Sequence, residues 1–318
     1  MPQGMPRAVV RGVMSHAMRH TVMRAALRRP RWGGLGLFRR RALFALAVLL
    51  PLAAALGPAA RADHGPGAKL HIEPEGWGRT RIDELRLALD AVVTSFGRHF
   101  DDPRPPAIRV VAGGPGPIVF YDKSAAGEYV VRLSARDGRW HQFVYQFAHE
   151  LCHIYSNFDN KIARGGEVAR GHQWFEESVC EAAALATLRE LAVAWRRAPP
   201  AAGFVGQGES LDALADYLLA ETHRQRPGSI TAWFRAHEVA LSASPYLRDK
   251  NEVVSNLLLP LFEQHPGGWR AIAYLNSDAE VAGLPFADYL EAWRRACPEA
   301  QRRLVQQIIA LFRPPRPG

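Results

Sequence analysis

The stretch from His149 to His153, with the sequence HELCH, constrains the fold of this chain more than any other part of it. Apolar residues recur every three or four positions through and before it: Phe143, Phe147, Leu151 and Ile154. This spacing predicts an amphipathic helix. Because residues four apart lie one turn above each other on a helix, both imidazoles can bind one Zn²⁺. Glu150 then lies beside them, where a carboxylate can take a proton from a metal-bound water.

Residues 1–62 differ in composition from the rest of the chain. They hold eleven of the 40 basic residues and no acidic one, so the other 29 basic residues face 31 acidic residues. The formal net charge of +9 therefore belongs to this leader. Because the excess of positive charge is confined to one terminal segment, we do not expect nucleic acid as a partner.

The leader has the three parts of a secretory signal peptide. Three arginines at 39–41 form a basic segment, residues 42–56 are apolar, and the A-R-A sequence at 60–62 predicts cleavage after Ala62. The apolar run contains Pro51 and is shorter than the roughly 20 residues needed to span a bilayer. We therefore expect an exported protein, periplasmic or secreted, that meets the membrane only through this signal segment.

The mature chain begins with alternating apolar patterns and ends with helical ones. Strands are predicted at 69–73, 107–111, 118–121 and 128–133, and helices at 79–100, 174–198, 211–223, 230–242, 251–264, 268–275, 286–296 and 299–312, besides the HELCH helix. This order predicts an α+β fold with a small N-terminal mixed β-sheet and a mainly helical C-terminal half. We expect a metal-binding catalytic subdomain at 63–200 and a helical subdomain at 201–318.

A catalytic zinc needs a third protein ligand, and the helix predicted after the HELCH helix offers glutamates for it. Residues 174–181, with the sequence WFEESVCE, fit an apolar-x-E-G/S-apolar-small pattern around Glu177. With HELCH, this stretch resembles the gluzincin zinc metallopeptidases over about residues 128–188. The resemblance implies a zincin-like fold and one Zn²⁺ per chain, with His149, His153 and Glu177 as ligands and Glu150 as general base.

Other acidic residues offer alternatives to Glu177. Glu181 lies one turn further on and ranks second, also as an outer partner of a ligating histidine. Glu176 is rotated by about 100° from Glu177 and ranks third. A different extension, H-E-x-x-H-x-x-G-x-x-H/D, places Ser156 at the glycine and Asp159 at the last ligand, which would give a metzincin-like or aspartate-type site.

Two further groups of residues have predicted roles near the metal. Gluzincins usually take an oxyanion-stabilising donor from the C-terminal half, and the polar break at 244–251 offers Tyr246 and Arg248. Tyr246 could instead pack an interhelical turn. By the same resemblance, the strand at 128–133 corresponds to the edge strand that pairs with an extended substrate in related enzymes.

Cys152 and Cys180 follow His149 and Glu177 by three positions each, so they share one side of their two helices. If those helices face each other, the two thiols can form a disulfide or remain buried and free. Cys297 is left over in both cases.

These residues favour an exported zinc metallopeptidase acting on peptide or protein substrates. Two other functions remain open: a non-catalytic envelope binding module with a structural zinc, and a zinc hydrolase acting on a non-peptide amide or ester. The sequence indicates no oligomeric state.

Overall fold

A computed structural model describes residues 69–100, 106–162, 171–265 and 267–313. These residues belong to one compact unit. The predicted signal peptide lies outside the described residues. Within the described ranges, no helix is long and apolar enough to cross a membrane.

A small mixed sheet forms the N-terminal part of the fold. Its strands are β1 (Leu70–Ile72), β2 (Ile108–Ala112), β3 (Ile118–Val119) and β4 (Tyr129–Leu133). Their order across the sheet is β1-β2-β4-β3, with β2 parallel to both β1 and β4, and β3 antiparallel to β4. Eight helices cover most of the remaining described residues: α1 (Ile82–Gly97), α2 (Trp140–Tyr155), α3 (Gln173–Arg197), α4 (Gln207–Leu219), α5 (Ile230–Ala243), α6 (Arg248–Gln264), α7 (Phe286–Ala296) and α8 (Glu299–Phe312). The predicted α+β class is confirmed.

The prediction that the strand at 128–133 lies at the sheet edge is wrong. That strand is β4, which has β2 on one side and β3 on the other. Residues 113 and 114 are glycines with positive φ angles, and they turn the chain after β2 so that β3 lies on the far side of β4. The apolar β4 therefore takes an interior position, and the two-residue β3 forms the edge, where short strands are common.

The HELCH helix, α2, lies between the sheet and α3. Its predicted apolar stripe is buried, with Phe143, Phe147 and Leu151 fully covered. The His149 to His153 segment therefore sits in the interior of the fold, close to β3 and facing α3.

α3 is the central helix of the fold. Every residue from 178 to 188 is buried, as expected for a helix that is apolar around its circumference. α2, from the predicted subdomain 63–200, packs on α3, and so do α4 and α6 from the predicted subdomain 201–318. Since α3 also carries Glu176, Glu177 and Glu181, helices from both parts of the chain surround these carboxylates.

Candidate metal centre

Three side chains from α2 and α3 converge as a metal ligand set would. The rings of His149 and His153 lie one turn apart, with centroids separated by 5.0 Å. The Oε2 atom of Glu177 lies 3.2 Å from Nε2 of His149 and 3.5 Å from Nε2 of His153. Two ligand atoms bound to one tetrahedral zinc are about 3.3 Å apart, given bond lengths of about 2.0–2.1 Å. Both separations from Glu177 are close to this value, and the three predicted ligands could hold a metal ion.

The other ring nitrogen of each histidine faces a second carboxylate. Nδ1 of His149 lies 3.7 Å from Oε2 of Glu181, and Nδ1 of His153 lies 2.6 Å from Oε1 of Glu176. Metal-binding histidines commonly donate their second N–H to a carboxylate in this way. Glu181 thus lies where an outer partner of a ligating histidine was expected. Glu176, which ranked last as a ligand, has the same relation to His153, because its rotation around α3 takes it to the far side of that ring.

Glu176 is almost completely buried, with 1% of its surface exposed. Besides His153, its carboxylate accepts hydrogen bonds from Ser156 Oγ at 2.8 Å, Lys161 Nζ at 2.7 Å and Asn276 Nδ2 at 2.9 Å. Burial disfavours the charged carboxylate, but Lys161 and His153 outweigh burial and lower the pKa of Glu176 to about 2. Glu176 is therefore a fixed anion held by four donors.

A second buried network surrounds Glu181. Its carboxylate accepts hydrogen bonds from the Tyr145 hydroxyl and, at 2.8 Å, from Arg224 Nη2. Arg248 Nη2 donates to the Tyr145 hydroxyl at 2.8 Å. Both arginines also contact Glu252, and Arg224 has none of its surface exposed. These contacts fix Glu181 from the side away from His149.

Among the described residues, the charges of this centre do not balance without a further cation. Its carboxylates are those of Glu150, Glu176, Glu177, Glu181 and Glu252, and its cations are Lys161, Arg224 and Arg248. With neutral histidines, five anions face three cations, so two negative charges remain in a largely buried place. Buried charges need compensation. A divalent metal ion would supply it, and so would two protonated imidazoles.

The surrounding carboxylates raise the pKa values of both imidazoles, which favours their positively charged form. Burial disfavours the imidazolium of His153, but the carboxylates of Glu177 and Glu176 outweigh burial and raise its pKa to about 9. Burial also opposes the imidazolium of His149, and its hydrogen bonds with Glu177 and Glu181 raise its pKa well above the ordinary value. In the metal-free protein, both rings should therefore carry a proton near neutral pH.

Zinc binding is expected to release protons, because a nitrogen that binds a metal must be unprotonated. Near neutral pH the release should be about two protons per zinc, one from each histidine. Zinc affinity should therefore rise with pH through the pKa of His153, about 9, and it should fall as the pH is lowered. Isothermal titration calorimetry in buffers of different ionisation enthalpy measures this release. Zinc binding without proton release would contradict the assignment of the two histidines as ligands.

Glu150 lies beside the ligand set and is held by the sheet. The Val119 N–H donates to Glu150 Oε2 at 2.8 Å, whereas the next N–H in the chain, that of Phe120 just after β3, donates to Val130 of β4. Glu150 therefore sits at the outer edge of β3, on the side away from β4. Burial raises the pKa of Glu150, and the neighbouring histidines oppose this rise.

The two predicted oxyanion donors lie in different surroundings. The Tyr246 hydroxyl is 3.4 Å from Gln173 Nε2, which in turn is 3.4 Å from Glu177 Oε1. Tyr246 is thus one side chain away from a ligand. Arg248 contacts Tyr145 and Glu252, so it reaches His149 only through Tyr145 and Glu181. The oxyanion roles of Tyr246 and Arg248 stay predictions.

The structure brings Glu177, and not Asp159, to the two histidines. Asp159 is half exposed and accepts hydrogen bonds from Lys123 Nζ at 2.8 Å and the Tyr129 hydroxyl at 2.9 Å. Among the described residues, Asp159 belongs to none of the groups that could hold a metal ion. The left-handed residue of this segment is Asn157, which follows Ser156 and has a φ of 61°.

Two further groups of possible ligand residues lie in the described ranges: His153, Glu176 and Cys180, and Glu221, His223 and Glu252. In the first, Nδ1 of His153 is 2.6 Å from Glu176, which is a hydrogen-bond distance and too short for two ligands of one zinc. In the second, His223 is 2.5 Å from Glu252, and Arg224 pairs with both glutamates. Hydrogen bonding explains both groups.

The cysteines are free thiols in this structure, and all three are buried. Cys152 and Cys180 contact each other, as expected if α2 and α3 face each other, but they do not form a disulfide. Cys180 Sγ also lies 3.4 Å from His153 Nδ1. Of the two predicted possibilities for Cys152 and Cys180, a disulfide or buried free thiols, the structure has the free thiols.

Comparisons with protein-family models, with curated proteins and with solved structures found no match to this chain. The fold and site define it as an α+β protein in which two histidines and a glutamate could hold one metal ion between two central helices.

Proposed function

We propose that this chain is an exported zinc metallopeptidase of the gluzincin type, with a zincin-like fold, that hydrolyses peptide or protein substrates. The position of the Glu177 carboxylate supports this proposal most strongly, since its Oε2 lies 3.2 and 3.5 Å from the Nε2 atoms of His149 and His153. The order of an antiparallel edge strand, a HELCH helix and a second helix with the third ligand also supports it.

The donor set favours zinc over magnesium and calcium. Two imidazoles and one carboxylate form a mixed nitrogen and oxygen set that catalytic zinc sites use, and they leave a fourth position for water. Magnesium and calcium prefer oxygen ligands. A dication would also balance the two excess negative charges of the buried centre.

His149, His153 and Glu177 would hold the zinc, and bound zinc supplies a water of lowered pKa and polarises a carbonyl group. Glu150 would act as general base, holding a proton on its carboxylate and passing it to the leaving amine. The Val119 N–H fixes one carboxylate oxygen of Glu150, so the other oxygen is available for the proton. Glu176 and Glu181 keep both imidazoles oriented with Nε2 toward Glu177.

The outer edge of β3 is the natural place for an extended substrate. The backbone of Val119 points away from β4, toward the side on which Glu150 lies. The Val119 N–H already bonds Glu150, so a peptide that pairs with this edge would donate a backbone N–H to the outward carbonyl oxygen of Val119 and run past Glu150 and the ligand set. Such pairing requires no particular side chain. Backbone pairing therefore suits peptide substrates better than isolated small esters.

Zinc analysis combined with hydrolysis of a mixed peptide pool tests the proposal. The purified protein is expected to bind about one zinc per chain, as a single three-ligand site predicts. Chelation should stop hydrolysis, and added zinc should restore it. Zinc binding without any hydrolysis would favour the non-catalytic binding module, and cleavage of esters or simple amides without cleavage of peptides would favour the non-peptide hydrolase. Absence of zinc binding would refute all three.

A further inference from the structure

We propose that Asn276, far from both metal-binding helices in the sequence, is a positioning residue for the metal centre. This inference rests on the proposed zinc site and deepens it, because it makes zinc affinity depend on the C-terminal half of the chain. The relevant feature is an asparagine clasp, which we define as the side chains of Asn157, Asn160 and Asn276. It joins the segment after α2 to residues 273–277.

The clasp consists of hydrogen bonds donated by its three side-chain amides. Asn157 Nδ2 donates to the carbonyl oxygens of Ala273 at 2.7 Å and Leu275 at 2.8 Å. Asn160 Nδ2 donates to two carbonyl oxygens further along the same segment, those of residues 276 and 277. These two asparagines therefore bind backbone only, and they hold the two segments together.

Asn276 donates in the opposite direction, into the centre itself. Its Nδ2 bonds the Ser156 carbonyl at 3.1 Å and Oε2 of Glu176 at 2.9 Å, while its Oδ1 accepts from the Tyr289 hydroxyl at 2.9 Å. The other three donors to Glu176, including His153, reach Oε1. Asn276 is thus the donor that fixes the second carboxylate oxygen.

The orientation of the Glu176 carboxylate sets the orientation of the His153 ring. The contact of 2.6 Å between Glu176 Oε1 and His153 Nδ1 directs Nε2 of that ring toward Glu177. Without a donor on Oε2, the carboxylate can rotate, and Nε2 is no longer held in the direction of the metal. Direct partners of a metal ligand, such as Glu176, typically change metal affinity about 10- to 100-fold, so a residue that acts through Glu176 is expected at the lower end of this range.

The backbone around Asn276 offers a matched pair of substitutions. Asn276 and Asn157 both have left-handed backbones, with φ angles of 54° and 61°. Glycine adopts this conformation without strain, so Asn276→Gly and Asn157→Gly each remove a clasp side chain while keeping the backbone geometry. Only the first of them removes a contact with Glu176.

Zinc affinity of the full-length variants, measured by competition with a chromophoric chelator, tests the inference. Asn276→Gly is expected to bind zinc about tenfold more weakly than wild type, whereas Asn157→Gly should stay within about twofold. Visible spectra of the cobalt-substituted proteins should change in Asn276→Gly only. Asn276→Asp, which also tolerates a left-handed backbone, replaces the donor by an anion facing Glu176 and should weaken zinc binding further.

Equal zinc affinities for Asn276→Gly and Asn157→Gly, whether both unchanged or both reduced, would overturn the positioning role. In the second case the clasp acts only through the stability of the fold. Thermal unfolding of the metal-free variants separates a folding defect from a local one. Since wild-type zinc binding is measured in the same series, its absence would instead refute the proposed function.

Discussion

Replacing Glu150 by glutamine is expected to lower kcat/KM for peptide hydrolysis by about 10²- to 10⁴-fold, the usual contribution of a general base. Glutamine has the shape of glutamate, and its carbonyl oxygen can still accept the Val119 N–H that bonds Glu150 Oε2 at 2.8 Å. The variant should therefore fold and bind zinc as wild type does, while losing the group that accepts the proton. The rate of hydrolysis of one peptide that the wild type cleaves in the mixed pool, together with zinc analysis, measures both effects.

Glu190→Gln is a suitable control, because Glu190 is likewise a hydrogen-bonded helical glutamate, but it lies on α3 and bonds Ser95 and Arg98 outside the metal centre. It should hydrolyse the same peptide at a rate close to that of wild type. Undiminished activity of Glu150→Gln would show that Glu150 is not the base. Loss of zinc from that variant would show that its carboxylate belongs to the ligand set.

Replacing Glu177 by glutamine is expected to reduce zinc affinity by more than the 10- to 100-fold, roughly, that is typical of outer-shell changes. The amide keeps the size of the side chain but removes the anion that faces both Nε2 atoms at 3.2 and 3.5 Å. The amide oxygen is a weaker third ligand than the carboxylate, and the centre has one negative charge fewer to attract a dication. Both changes weaken zinc binding. Competition with a chelator of known affinity gives the change.

Asp159→Asn distinguishes the two ligand sets that the sequence left open. Asp159 is paired with Lys123 and Tyr129, so its amide variant should bind zinc with unchanged affinity. If Asp159→Asn lost zinc while Glu177→Gln retained it, the metzincin-like alternative would be correct and the helix partner of His149 and His153 would have been misassigned.

Local periodicity predicted much of the fold. The bounds of α7 and α8 agree with the predicted helices at 286–296 and 299–312, and the apolar stripe of α2 is buried as predicted. These features depend on residues three or four positions apart, so a single sequence contains the information. The convergence of Glu177 on the two histidines required only two helices packed face to face.

Contacts between distant segments were not predictable in the same way. Nothing in the local pattern indicates that the chain turns after β2 so that β3 becomes the edge strand, which is why β4 was placed there. Lys161 and Asn276 belong to no motif, yet both donate to Glu176. The one available signal was the electrostatic need of the site: a carboxylate next to Glu177 must be neutralised if it is buried.

For the three glutamates on α3, helical geometry predicted the direction of each side chain but not which histidine atom it contacts. Helical geometry correctly separated Glu177 from Glu176 by about 100°, and it correctly placed Glu181 near Glu177. It could not show that the direction taken by Glu176 meets Nδ1 of His153, because that depends on how α2 crosses α3. Glu177 thus faces both histidines, Glu176 faces His153 and Glu181 faces His149. The sequence alone does not determine these pairings.

Anomalous diffraction at the zinc edge, from crystals of the zinc-loaded protein, tests the central claim most directly. We expect one zinc peak with Nε2 of His149, Nε2 of His153 and a carboxylate oxygen of Glu177 at about 2.0–2.2 Å, and a water at the remaining position. A zinc ion bound elsewhere, or one closed by a fourth protein ligand in place of water, would contradict the account of this chain as a zinc hydrolase.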